Sequence, residues 1–354
     1  MKKLILGALM ASSTAALAQT ENPNPLKISG YIETYYVYDF GKPQNNTRPG
    51  FVYSHNRHNE VNLNLGFVKA AYEKDNVRAN LALMTGTYPN ANLAAEPGVL
   101  KNIFEANIGV KVSKTKNLWI DAGIFPSHIG FESAIGKDCW NLTRSILADN
   151  SPYFESGAKI SYTSDDGRWF VSGLVLNGWQ RIQRVAGNST PAFGHQLTFK
   201  PNAKITLNSS SFVGSDTPDS SRLMRYFHNF YGIFQLTEKV ALTLGFDVGS
   251  QQKQPKSSEY NTWVAPVAIV KMALNPKWNA AVRVQYYGDR GGVIIATNTP
   301  FAFETMGYSI NFDRQLADNA VWRVEARHFS SKNPIFENNS SQNTLIATSL
   351  AVSF

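Results

Sequence analysis

Charged side chains that could act on a passing solute recur in two settings in this sequence. One is a long connection, 127–154, in and beside which stand Glu132, Lys137, Asp138, Arg144, Asp149 and Glu155. Laid across a water-filled passage opposite charges of the other sign, its acidic groups would create a transverse field that sorts solutes by charge and size. The other is a set of alternate positions in repeated short segments: Glu33, Arg78, Glu105, Lys111, Asp121, Lys159, Lys200, Lys204, Asp247, Arg283, Arg323, Glu325 and Arg327. Basic residues outnumber acidic ones in this set, which points to a weak preference for anions. Two smaller groups have other chemistry in reach. His55, Arg57, His58 and Glu60 form a polar knot, and imidazoles three residues apart can share a cation. No fixed ligand set accompanies them, so loop anchoring by hydrogen bonds is the plainer expectation. Ser127-His128 with Glu132 has the residue types of a hydrolase. It lacks a Gly-x-Ser-x-Gly elbow, and adjacent Ser and His rarely face each other for proton transfer. No catalytic residue, metal or cofactor is expected.

The elements that must position these residues show a period of two. Val240, Leu242, Leu244, Phe246 and Val248 alternate with Ala241, Thr243, Gly245 and Asp247; Trp278, Ala280, Val282 and Val284 alternate with Asn279, Ala281 and Arg283. The same rhythm runs through 60–67, 77–83, 104–112 and 322–327. Successive side chains of a strand point to opposite faces, so each segment has one greasy and one wet face. By this parity Val61, Leu63, Leu65, Phe67 and Phe104 face outward. A soluble sandwich also alternates. The connections decide: seven short turns alternate strictly with eight long polar loops. That is the layout of a transmembrane antiparallel up-and-down β-barrel, with tight periplasmic turns and longer external loops. Fifteen connections join sixteen strands and leave both termini periplasmic; fourteen or eighteen strands fit within the same boundary tolerance. Trp119, Trp169, Trp278 and Trp322 follow short turns, as an interfacial girdle requires, although Trp119 shares the inward parity of Asp121. Pro266 interrupts the alternation in 251–271.

The ends and the composition agree. Met1-Lys2-Lys3, the apolar run Leu4–Met10 and the small residues to Ala16-Leu17-Ala18 read as a signal peptide, 1–18, cleaved before Gln19. The rest, 19–354, then forms a single barrel domain. No later apolar stretch is long enough for a spanning helix. Charged residues are 17% and aromatics 12%, which suits a surface that partly meets lipid. Cys139 stands alone, so no internal disulfide can form. The net charge of +8 comes without the basic, aromatic-interleaved cluster of a nucleic-acid binder. Too few residues precede the first strand to form the plug of an energised transporter.

Several blocks carry a family likeness: Gly30-Tyr31-Ile32-Glu33-Thr34-Tyr35-Tyr36, His55 to Asn64, Arg78 to Leu83, Asp121 to Glu132, Leu142-Thr143-Arg144-Ser145, Asn150 to Glu155, and Leu176 to Gln180. Over about 28–180 the chain resembles the OmpL-like outer-membrane β-barrel porins of the Bacteroidetes. The resemblance implies a Gram-negative outer-membrane location and a porin-like role, and no particular substrate. The last strand, closing on Phe354, resembles the segment by which outer-membrane barrels are recognised by the insertion machinery. The expected partners are therefore membrane lipid and lipopolysaccharide, that machinery, and small hydrophilic solutes diffusing through the bore. A homotrimer fits porins of this size. A sealed structural or adhesin barrel and an outer-membrane hydrolase are the other two readings.

Overall fold

A computed structural model describes residues 24–297, 299 and 302–354; the signal-peptide reading at 1–18 lies outside these described residues. Sixteen strands follow one another: β1 Leu26–Asp39, β2 Val61–Lys74, β3 Val77–Thr85, β4 Ile103–Lys111, β5 Asn117–Pro126, β6 Phe154–Thr163, β7 Trp169–Leu176, β8 Ala192–Asn202, β9 Ile205–Gly214, β10 Arg225–Gln235, β11 Val240–Gln252, β12 Tyr260–Asn275, β13 Trp278–Asp289, β14 Phe303–Ala317, β15 Ala320–Ser331 and β16 Gln342–Ser353. Each pairs antiparallel with its sequence neighbours, and β16 returns to β1, so the sheet closes into a barrel. Tyr31 lies opposite Ser353 and Asp39 opposite Leu345 at this seam. Gly30 and Phe354 extend it by exchanging backbone hydrogen bonds of 2.7 and 3.0 Å. Closure leaves no edge, the condition for a sheet in hydrocarbon, where an unpaired N–H or C=O has no water to bond.

The expected faces hold over most of the wall. Ile108, Ile120, Ile160, Leu244, Val282 and Ile310 are exposed on the outside, while Asp121, Asp247, Arg283, Asn311 and Glu325 are buried inside. Trp169 stacks on Phe199 at 4.0 Å, and Trp278 meets Trp322 edge-on at 6.3 Å, near the short turns. Trp119 is buried under the Arg78 guanidinium, 4.2 Å from the ring centre, so its parity and not its depth decides its face.

Two register slips correct the expected faces near the start of the barrel. Glu33 pairs with Leu65 but Thr34 pairs with Leu63, leaving Asn64 as an extra residue. One added residue reverses every later side chain. Val61 faces outward, but Leu65 is fully buried and Phe67 turns in, 5.9 Å from Tyr31. A second slip, after Ala82, turns Phe104 inward, where it stacks on Phe67 at 4.7 Å. Lys69 follows Phe67 into the bore and meets Glu105 at 2.5 Å. Lys204 is also corrected: it sits exposed in the two-residue turn between β8 and β9, outside the wall. Pro266 lies within β12; its partners toward β11 are continuous, while bridging toward β13 lapses between Val264 and Val267. A missing N–H is tolerated at such a lapse.

If the exposed wall meets hydrocarbon, Val282→Arg should lower the unfolding free energy in lipid vesicles by about 2–4 kcal/mol. Denaturant titration checks this. A loss under about 1 kcal/mol, typical of positions near the interface, would mean that this face is not at the middle of the bilayer.

Candidate functional site

The connection between β5 and β6, loop 3, is built from apolar residues that its ends draw inside the barrel. Ile129, Leu142, Ile146 and Leu147 are buried with inward-facing residues of the wall such as Val267 and Ile269. A short helix, α1, spans Ile146–Asp149, with Ser145 Oγ accepting from Ala148 N at 3.1 Å as its N-cap. The backbone of the loop is seated strand by strand around the bore. His128 Nε2 meets Ser211 O of β9 at 2.8 Å, and Gly130 N donates to Asn229 Oδ1 of β10 at 3.2 Å. Lys137 N donates to Tyr31 Oη of β1 at 3.3 Å, and Leu142 N to Asn311 Oδ1 of β14 at 3.0 Å. Thr143 N donates to Glu325 of β15 at 2.6 Å and Ile146 N to Gln285 Oε1 of β13 at 2.7 Å. Contacts on both β9–β10 and β13–β1 make the loop a chord across the bore.

Arginines from the wall clasp this chord. Arg283 donates to Thr143 O at 2.7 Å and to Glu325 at 2.8 Å; Arg323 donates to Gly136 O at 2.7 Å, Cys139 O at 2.8 Å and Asp313 at 2.7 Å. Arg327 donates to Arg144 O at 2.8 Å and to Thr143 Oγ1 at 3.1 Å. All three arginines are at most 2% exposed. The expected confrontation of acidic loop and basic wall is therefore corrected in its chemistry. The guanidiniums bind mainly peptide carbonyls and wall carboxylates, because a carbonyl satisfies a buried donor without the cost of burying a second charge. Of the loop acids, Glu132 stands 3.6 Å from Arg283 but spends one oxygen accepting from Ser145 N at 3.0 Å and from the Ser145 hydroxyl. Asp138 is exposed on a short turn and feels Lys137, Arg144 and the wall's Arg323 without forming an ion pair within 4 Å among the described residues. Arg144 does not face a solute: it donates to Ser133 O, Leu142 O and Ala134 O, stapling the loop to itself. Glu155 is buried against His128, 2.7 Å away. Asp149 is buried with Oδ1 unpaired, and burial pushes its carboxyl up to about 6.

The remaining wall residues fall into two groups. Arg78 forms a bidentate pair with Asp121 at 2.7 and 2.6 Å. Glu105 takes Lys69, which the expected parity placed outside. Lys159 lies over the Phe125 ring at 4.8 Å, and Lys111 and Lys200 are half-exposed. Asp247 is buried and accepts from Asn229 Nδ2 at 2.5 Å. Glu33 is fully buried, 3.3 Å from His55. That contact belongs to the connection 40–60, loop 1, which also enters the barrel, an entry that nothing in its residue pattern announces. Arg48 stands 3.6 Å from Asp39, His58 Nδ1 accepts from Asp39 N at 2.9 Å, and Arg57 pairs with Glu60 at 2.7 Å. The polar knot is thus divided among three anchors. Phe51 is buried among Phe303, Phe329 and Phe336, and its carbonyl accepts from Asn150 of loop 3. The hydrolase residues are not arranged for proton transfer: Ser127 Oγ accepts from Ile129 N, and both His128 nitrogens are engaged elsewhere.

A family model described as "Putative beta-barrel porin-2, OmpL-like" matches residues 25–354. The chain belongs to this porin family. Among curated protein sequences there is no match. Similar solved structures include OprB of Pseudomonas putida (10% identity, 93% of this chain and 94% of that one, TM-score 0.62). An anion-selective porin from Comamonas acidovorans (6%, 93% and 99%, 0.61) and the trimer form of OmpT, an outer-membrane protein of Vibrio cholerae (9%, 93% and 99%, 0.60), are also similar. At these identities the likeness is one of fold. The porin is an outer-membrane β-barrel, and its family is one of porins.

Two outcomes test how this porin holds its loop. Glu325→Leu strands Arg283 and Thr143 N, so it should cost about 3–5 kcal/mol, the usual loss when one partner of a buried pair is removed. It should also expose 136–140 to protease; adding Arg283→Met should recover part of the loss. Equal, additive losses would show that the pair is not coupled. The second outcome concerns Asp149. Its folded pKa lies above the unfolded value, so its neutral form favours the seated loop. That contribution is complete below about pH 4 and fades as pH rises through about 6. Asp149→Asn should remove this part of the pH dependence in denaturant titrations, and an unchanged difference curve would contradict it.

Proposed function

We propose that this porin carries small hydrophilic solutes by passive diffusion, with loop 3 as its constriction and a weak preference for anions. One observation carries the reading: a sixteen-strand wall whose inward face is polar and only half-buried on the short-turn side, where the acids are paired and several lysines are not. Glu105 and Asp121 are held by Lys69 and Arg78, whereas Lys159 and Lys271 lie over the Phe125 and Trp140 rings at 4.8 and 6.0 Å. Field lines from such lysines raise the local concentration of anions. The pore-lining role extends to the half-exposed Lys111 and Lys200, whereas Glu33, Asp247, Glu132, Asp149 and the arginines that clasp the loop are buried and shape the constriction from behind its surface.

The short turns and both chain ends face the periplasm in this reading, after export and cleavage near Ala18/Gln19. Lipid and lipopolysaccharide surround the wall, and the strand ending at Phe354 engages the insertion machinery. The chain assembles as a homotrimer, the form in which one structural neighbour is described. A second reading has its own support: with Phe51 seated in an aromatic socket above loop 3 and the wall arginines fully covered, the barrel could serve as a sealed envelope anchor.

Planar-bilayer recording separates the two. A pore gives stepwise currents and a reversal potential displaced toward anions. Deleting 133–148 raises the unit conductance, and Lys159→Glu with Lys271→Glu reverses the selectivity. Silence from correctly folded protein supports the sealed barrel, and a cation-selective wild type refutes the anion preference.

A further inference from the structure

The lipid-facing side of β8–β10 carries a feature that a wall surrounded only by lipid would avoid. His195, Ser211 and His228 are directly opposite one another in the ladder, forming a polar row across three strands. The row points outward, because its neighbours in sequence, Gly194, Ser210 and Asn229, take inward contacts with loop 3 or its flanks. Phe193 and Tyr226 lie one step toward the long loops, and Leu197 and Phe230 one step toward the short turns; all four are exposed. The row is therefore inside the apolar belt. Both His195 nitrogens have partners, Nδ1 with Ser211 Oγ at 2.5 Å and Nε2 with Ser209 Oγ at 3.4 Å, and Ser209 Oγ also meets His228 Nε2 at 2.9 Å; His228 Nδ1 has no partner among the described residues. An imidazole and a hydroxyl each hold further hydrogen-bonding capacity, and hydrocarbon supplies no partner for it.

The local shape is equally distinctive. Gly173 of β7 is the next residue along the row, opposite His195. Ser209 and Ser211 follow on β9, where Ser209 lies opposite Phe230 and Ser211 opposite His195. Small residues let two membrane surfaces approach closely, and His and Ser can bond across such a contact. β7 itself has eight residues, fewer than the roughly nine to eleven needed to span as a tilted strand. One short strand, small side chains and an unpartnered imidazole nitrogen coincide on one side of the barrel. By contrast, β13 has twelve residues and β14 fifteen, with apolar outer rows.

We infer that this patch, Gly173, His195, Ser209, Ser211 and His228, is the face through which one copy of the porin binds another. The inference rests on the homo-oligomeric reading above and names its surface. A second copy fits because copies of the same patch can meet around the threefold axis of a trimer, where His228 Nδ1 of one subunit can bond a hydroxyl or imidazole of the next. An acyl chain offers neither.

The test uses the full mature protein in mild detergent and in vesicles, with β-sheet circular dichroism and heat resistance verifying the fold of each variant. Native mass spectrometry should give an oligomer for the wild type and folded monomers for Gly173→Trp and for His195→Leu/His228→Leu. A benzophenone amino acid in place of Ser211 should crosslink to another barrel, and one in place of Ile310, on the outer face of β14, should not. An oligomer that survives both variants, with crosslinking from 310 and not from 211, overturns the face while leaving the oligomeric reading intact. A monomeric wild type overturns both. Adducts at 211 with lipid alone place lipid on the patch and overturn the inference.

Discussion

A backbone group in hydrocarbon has no water to fall back on, and this condition organises the whole molecule. It forces the sheet to close, which β16 does by pairing with β1 along nine residues. Closure then separates two environments that alternate along every strand. A second constraint follows at once. A closed sixteen-strand wall encloses more space than its own side chains fill, so its polar inner face needs either water or protein. In this porin it has both. Loop 3, with loop 1 above it, occupies the bore toward the long loops, and the side nearer the short turns stays partly exposed.

Filling the bore with protein brings its own electrostatic problem, because the wall there carries Arg283, Arg323 and Arg327. A buried cation without partners is very costly, and a buried ion pair returns that cost only with full hydrogen bonding. Loop 3 answers mostly with peptide carbonyls. Gly136, Cys139, Thr143 and Arg144 each present a carbonyl to a guanidinium. Thr143 is the centre of this arrangement, donating to Glu325 while accepting from Arg283. A fork of fixed N–H groups suits such a task, since it dictates the positions of the acceptors as well as their number. The loop is held in one path by geometry more than by net charge.

This arrangement explains which parts could be read from sequence. Strands whose inner face stays polar, such as β15 with Arg323, Glu325 and Arg327 against Trp322, Val324 and Ala326, were legible residue by residue. In β12 the inward residues Trp263, Ala265, Val267 and Ile269 are apolar because loop 3 packs on them, so both faces are greasy and the alternation disappears. The slips at Asn64 and after Ala82 were hidden because the period-two pattern continues through them in residue type. One signal was available: on the expected parity Lys69 would have been an unpaired cation facing lipid, and a change of phase removes that conflict. Loop 1 gave no comparable sign. Its anchors, Arg48 and His55, find Asp39 and Glu33 only once the chain has folded back into the bore.

The two loops are not equivalent occupants. Loop 3 is bonded to the wall on both sides of the bore, through backbone groups that have no alternative partner there. Loop 1 is held near its own strands, by Asp39 and Glu33 of β1 and Asn64 of β2, and its tip is fixed by aromatic contact. Its polar contacts with the chord include that of Asn150 with the Phe51 carbonyl and that of Ser54 with Asp149, and the same Asn150 amide also bonds Ile146 O within loop 3. Loop 1 can therefore lift while leaving loop 3 internally satisfied, at the expense of an aromatic contact and a few hydrogen bonds. Loop 3 cannot move without taking carbonyl acceptors from three buried arginines and a backbone donor from Glu325. The physical hierarchy places the permanent narrowing of the bore in loop 3 and any adjustable part of the passage in loop 1.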